Sequence, residues 1–289
     1  MHPIRLTLPQ SQLELQGFHS HPEAPIKAIA LHGWLDNCYS FLPLSTLLPD
    51  LDILAIDLPG HGDSQSIPAG MSYDFHYYLV WLHELIETLG YDRFVLIGHS
   101  MGAVIASLYA GVFPEKLQNL VLIEGMGPFC VPEDEAPQKM KGYIQSWSRQ
   151  GLMRNSLYAN WEEAVRARQK NGKFSWESAE TLAKRGAAPL PNGVMWKHDP
   201  RLKMPSRYQF SERQTLAFMK NIRCPTLYIE ATDSIIPQDS LMRERAAAIP
   251  SLSTVKLEGG HHLHLDEPEP VVKAMKDFWQ SLTEETASD

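Results

Sequence analysis

Cysteine is scarce in this 289-residue chain. The three present, Cys38, Cys130 and Cys224, are odd in number and far apart. They form neither a disulfide framework nor a metal-ligand spacing, so they are expected to be reduced and structural. No apolar run approaches the roughly 20 residues that a membrane span needs. Nor do the first twenty residues show the basic-then-apolar layout of a secretory signal. These absences lead to the expectation of a soluble, cytoplasmic protein. Positive charge is also in deficit: 26 Lys+Arg against 34 Asp+Glu leave a net charge of −8, which argues against nucleic acid as a partner. The deficit is uneven, because residues 127–222 hold 16 basic and 9 acidic residues, a basic middle within an acidic frame. Internal repeats and low-complexity stretches are missing too, and Thr283–Asp289 reads as a frayed polar tail.

The most informative stretch present is Val95-Leu96-Ile97-Gly98-His99-Ser100-Met101-Gly102-Ala103, followed by the apolar run to Ala110. It reads as buried strand, sharp turn and buried helix, with Ser100 at the apex of the turn in a strained conformation. Gly98 and Gly102 fit places where a Cβ would clash. In that setting Ser100 is expected to be a nucleophile.

Along the chain, Ile4–Leu8 and Gln12–Phe18 alternate like an antiparallel edge pair. Ile26–Leu31, Ile53–Ile56, Phe94–Ile97 and Leu120–Ile123 are apolar runs of buried parallel strands. A short helix is expected at Ser40–Leu48, and a longer one carries Phe75, Tyr78, Leu82, Leu85, Ile86 and Leu89 and closes at Gly90. This alternation implies a parallel sheet with helices on both faces. It lapses over 127–222, where Met140–Arg149, Trp161–Gln169 and Trp176–Ala183 read as amphipathic helices and no strand of equal quality is visible. That segment is expected to be a helical cap over the sheet's carboxyl rim, with 1–126 and 223–289 as the core. The strand pattern returns at Pro225–Ile229 and Thr254–Leu257, with helices at Gln238–Ala248 and after Pro268.

A serine hydroxyl needs a base to take its proton, commonly a histidine oriented by a carboxylate. Both types follow predicted strands: Glu230-Ala231-Thr232-Asp233 after one, Gly259-Gly260-His261-His262-Leu263-His264 after the next. The order Ser, Asp, His resembles that of the α/β-hydrolases. His32-Gly33-Trp34 resembles that family's oxyanion loop, Asp57–Ser64 its Asp-x-Pro-Gly-x-Gly-x-Ser loop, Gly98–Gly102 its elbow, and Asp233 and His261 its acid and base. More narrowly, Leu31–Asn37 and Trp196–Leu202 resemble the serine-hydrolase-like, kraken-type group.

The resemblance implies an α/β-hydrolase fold with a helical cap. It further implies a cofactor-free serine hydrolase cleaving carboxylic esters through Ser100, His261 and Asp233, with the backbone N–H groups of Trp34 and Met101 as the oxyanion hole. His32, Gly33, Gly98 and Gly102 support it. Glu124, just past Leu120–Ile123, is the rival acid; its alternative is a hydrogen-bonding loop residue. His32, His61 and His99 are expected to stabilise turns. A zinc reading of His262-x-His264-x-Asp266 lacks a further ligand at usable spacing, so no metal is expected.

Trp147, Trp161, Trp176 and Trp196, with Met140, Met153, Met195, Met204 and Met219, are read as cap core and partly as pocket roof. The basic middle either complements the acidic frame or steers an anionic substrate. The expected partner is a small-molecule ester; a thioester on a carrier, or a non-catalytic receptor on the same fold, are the alternatives.

Overall fold

Side-chain alternation at the amino end produces an antiparallel edge pair, β1 (His2–Thr7) and β2 (Glu14–His19), in register from His2 opposite His19 to Thr7 opposite Glu14. In this computed structural model, the backbone of residues 1–288 and the side chains of residues 1–284 are described. Of the polar tail expected to fray at Thr283–Asp289, the backbone through Ser288 instead continues the last helix, and Asp289 lies outside the described residues. β3 (Ile26–Leu31) leads through the short α1 (Leu42–Thr46) to β4 (Leu51–Ile56). Then come α2 (Phe75–Leu89), β5 (Phe94–His99), α3 (Met101–Val112) and β6 (Leu117–Ile123). The Asp74 carboxylate starts α2 by accepting from Tyr77 N–H. Gly90, at φ 66°, ends it in a left-handed conformation that a side chain resists.

Between β6 and the next sheet strand, the chain forms α4 (Ala136–Trp147), β7 (Leu157–Tyr158), α5 (Trp161–Gly172), α6 (Trp176–Gly186), β8 (Ala187–Leu190), β9 (Gly193–Trp196) and α7 (Glu212–Lys220). β10 (Thr226–Asp233), α8 (Ser240–Ala248), β11 (Leu252–Gly260), α9 (Leu263–Asp266) and α10 (Pro268–Ser288) complete the order. The main sheet runs β1-β2-β4-β3-β5-β6-β10-β11, with every pairing from β4 onward parallel. Alternation along β5 divides the core: Leu96 packs with Leu82, Ile86 and Tyr109 on one face, Val95 and Ile97 with Phe41, Val271 and Met275 on the other. Both faces being covered explains why β4 and β5 are buried along their full length.

Two features of 127–222 differ from the sequence reading. A small antiparallel sheet, β7-β9-β8, accompanies the helices. Its strands have only two to four residues and are half exposed, too short to leave an apolar periodicity. Moreover, α7 packs against α3, and Met219 and Ile222 join the main core. The insertion's own core is instead Ala164, Val165, Leu182, Ala183, Val194 and Trp196.

The unequal charge distribution resolves into contacts across this junction. Arg168 pairs with Asp36 and Lys197 with Asp63. Arg185 lies 2.7 Å from Asp57 and 3.5 Å from Asp63, and Arg207 2.8 Å from Asp74. Much of the basic excess thus complements the acidic frame. The Asp57 side chain is fully buried and also accepts from Cys38 N–H and Asp63 N–H. Removing its cation leaves a buried charge uncompensated, so Arg185→Met should lower unfolding stability by about 3 kcal/mol in urea titration. If the loss is no larger than for an exposed pair, below about 1 kcal/mol, the junction is not held in this way.

Candidate active site

The turn after β5 carries Ser100 at φ 51°, ψ −115°, a backbone conformation that L-residues occupy only when their surroundings impose it. Those surroundings are tight. A Cβ on Gly98 would strike the backbone of Gly102 and Ala103, and one on Gly102 the carbonyl of Leu31. Ser100 N–H donates to Ile123 O at 2.9 Å, tying the turn to the end of β6. Gly102→Ala should therefore destabilise the fold by about 3 kcal/mol, read as a lowered Tm, because only backbone movement can relieve the overlap.

Two further strand ends complete the cluster. His261 follows β11, with Nε2 2.9 Å from Ser100 Oγ and Nδ1 3.0 Å from Glu124 Oε2. Glu124 ends β6 at φ 54° with its N–H donating to Ile229 O at 2.9 Å, and its side chain is fully buried. Its carboxylate accepts from Ala231 N–H at 2.7 Å onto Oε1, and from the Ser234 hydroxyl at 2.8 Å onto Oε2.

Asp233, the expected acid, is not part of this arrangement. It sits exposed beyond an irregularity in β10, its backbone opposite Gly260, while the neighbouring Ser234 turns inward to Glu124. The place beside His261 Nδ1 belongs to Glu124. In the sequence, the only sign was an apolar strand ending in a carboxylate and glycine, Ile123-Glu124-Gly125. Which of two strand ends lies nearer the histidine depends on register and φ, neither of which periodicity reveals.

The loop after β3 is fixed from inside. His32 Nε2 accepts from Leu58 N–H at 2.9 Å, so its Nδ1–H donates to Gly33 O at 2.8 Å. Burial pushes His32 down to about 4, and His61 and His264 down to about 3, so all three are neutral near pH 7. Since the unfolded chain takes up these protons below pH 6.5 and the folded chain does not, stability should fall as pH drops from 7 toward 4. The slope is up to about 1.4 kcal/mol per pH unit for each histidine. Thermal unfolding at pH 7 and pH 5 checks the sign; a higher Tm at pH 5 would refute it.

The His262-x-His264-x-Asp266 motif does not gather in space as a ligand set. His264 packs on Phe41, and the Asp266 carboxylate accepts from Ser175 N–H and the Ser178 hydroxyl. Asp36, His99 and His262 do place three ligand-type atoms within 4.8 Å of one another. Asp36, however, already pairs with Arg168 and lies 3.2 Å from His262 Nε2.

Ser100 opens into a cavity of about 620 Å³ whose walls include Trp34, Met101, Tyr78, Met126, Leu202 and Phe210. Met101 is the first residue of α3, so its N–H has no partner within the helix. The Trp34 indole donates to Leu202 O at 3.0 Å, anchoring the loop to the insertion. Of the insertion's tryptophans and methionines singled out above, Met204 lines this cavity, whereas Trp196 belongs to the insertion's core and the half-buried Trp161 and Trp176 pack against it. Besides Glu124, the charged lining groups are committed elsewhere: Asp74 to Arg207, Arg245 to Glu212, and Asp239 to Met242 N–H.

Residues 29–268 match the model of the alpha/beta hydrolase fold. The chain belongs to that family. Within it, the chain falls in the serine-hydrolase-like group. It is 29% identical to a serine hydrolase-like protein of Danio rerio over 96% of this chain and 88% of that one. Among solved structures, it is similar to a hypothetical protein of Pseudomonas aeruginosa PAO1, with TM-score 0.92, 36% identity and coverage of 97% and 100% of the two chains. It is also similar to the thioesterase domain from the curacin biosynthetic pathway, with TM-score 0.80, 26% identity and coverage of 94% and 98%.

Proposed function

We propose that this α/β-hydrolase cleaves carboxylic esters through an acyl-enzyme on Ser100, with His261 as base and Glu124 as the carboxylate that orients it. The observation that carries this reading is the continuous chain of contacts from Ser100 Oγ through His261 to Glu124. His261 Nδ1–H donates to Glu124, which leaves Nε2 free to accept the serine proton and later return it to the leaving alcohol. The N–H groups of Trp34 and Met101 serve the oxyanion, each worth about 3 kcal/mol in the transition state. Residues 127–222 act as the cap that dries the site.

The cavity's volume is that of a small-molecule site, and its apolar walls with no uncommitted cation favour a neutral acyl group of medium length. Activity on p-nitrophenyl esters of increasing chain length should pass through a maximum and then fall. Equal rates at every length would remove the cavity from the argument.

Similarity to a thioesterase domain supports a second reading, in which the acyl group arrives as a thioester. Presenting one acyl group both as an alkyl ester and as a pantetheine thioester separates the two by kcat/KM.

A further inference from the structure

We infer that His99 is a positioning residue, holding the loop that bears the base at a fixed height above the nucleophile. The inference rests on the roles proposed for Ser100 and His261. His99 is the last residue of β5, immediately before Ser100, and its ring is completely buried. Its Nε2 lies 2.8 Å from the backbone carbonyl oxygen of His261. A carbonyl only accepts, so Nε2 carries the proton, and a neutral ring then has a bare Nδ1. Burial and the surrounding histidines hold the ring's proton affinity well below its usual value, in keeping with that neutral form.

The bare nitrogen has no hydrogen-bond partner and stands 3.8 Å from Asp36 Oδ2. A Cβ on Gly33 would lie 2.9 Å from both of those atoms, which shows how closely the loop after β3 packs on this ring. One imidazole is therefore joined to the elbow by the chain, to the base-bearing loop by a hydrogen bond, and to the oxyanion loop by contact. Moving the His261 backbone moves its Nε2 relative to Ser100 Oγ, and a displacement of about 1 Å in such geometry costs about 100-fold in rate.

Two substitutions separate the donor from the bulk of the ring. The amide nitrogen of His99→Gln reaches the place of Nε2; that of His99→Asn stops at the place of Nδ1 and cannot reach the carbonyl. Each variant is titrated with a fluorophosphonate to count active sites, then assayed on a p-nitrophenyl ester. The expected result for H99N is a kcat per labelled site about 10- to 100-fold below wild type with KM changed less than about threefold, and for H99Q recovery of most of that loss. A purely structural role would lower Tm and the labelled fraction in both variants while leaving kcat per site unchanged, and that outcome overturns the inference. So does equal kcat in H99N and H99Q. If wild-type Ser100 takes no label, the proposed reaction fails instead, a result distinct from either. Nitrogen-15 imidazole NMR on the wild-type protein adds an arm independent of turnover: His99 is expected as the neutral Nε2–H tautomer, and an Nδ1–H or charged ring would refute the proposal.

Discussion

Glu124→Gln should lower kcat by about 10⁴-fold, the scale seen when a triad's carboxylate becomes an amide, while Asp233→Asn should leave it within about twofold, as exposed substitutions commonly do. The asymmetry follows from the donors around the buried side chain. Oε1 receives the Ala231 N–H, and Oε2 receives both the Ser234 hydroxyl and His261 Nδ1. An amide nitrogen at the first position sets two N–H donors against each other, which costs stability. At the second, it forces Nδ1 to accept, so the proton moves to Nε2 and faces Ser100, where a base is needed. Steady-state kinetics of both variants, with Tm measured alongside, decide the matter. A large loss in D233N with E124Q near wild type would restore the aspartate as the partner of His261 and leave Glu124 a structural residue.

Ser100→Ala should have the largest effect of any single change, a loss of about 10⁵-fold or more in kcat, together with complete loss of fluorophosphonate labelling. It should leave the fold intact. The strain at φ 51° belongs to the backbone and is imposed by the close approach at Gly98 and Gly102, so alanine inherits it unchanged. Combining S100A with E124Q should cost no more than S100A alone, because residues that act as one unit are not additive. Ester turnover surviving in S100A would sink the acyl-enzyme reading, and the remaining possibilities would be a different nucleophile or a binding protein on this fold.

Periodicity made much of this molecule legible. The apolar runs gave the parallel strands, the 3.6-residue spacing gave α2 and its glycine stop, and the interval between Leu122-Ile123 and Pro225-Thr226 gave the insertion. Its small sheet stayed hidden because strands of two to four residues carry too few positions to alternate. The packing of α7 on α3 stayed hidden for another reason: an amphipathic helix announces that it has an apolar face, not which surface covers it.

Part of the elbow is local chemistry. Gly98 is required by Gly102 and Ala103, a few residues on, and the Gly-x-Ser-x-Gly spacing and a histidine placed just beyond a strand are written in the chain itself; Gly102 is required by the Leu31 carbonyl, which only strand packing brings near. The partner of His261 Nδ1 is of another kind. Glu124 and Asp233 are both carboxylates at the ends of neighbouring strands, and the family-like order of Ser, Asp and His favoured the wrong one of the two for contact with that nitrogen. Choosing between them took the register of β6 against β10, the left-handed turn at Glu124, and the inward Ser234 that leaves Asp233 in solvent, a difference of a few ångströms that arises only when strands more than a hundred residues apart lie side by side.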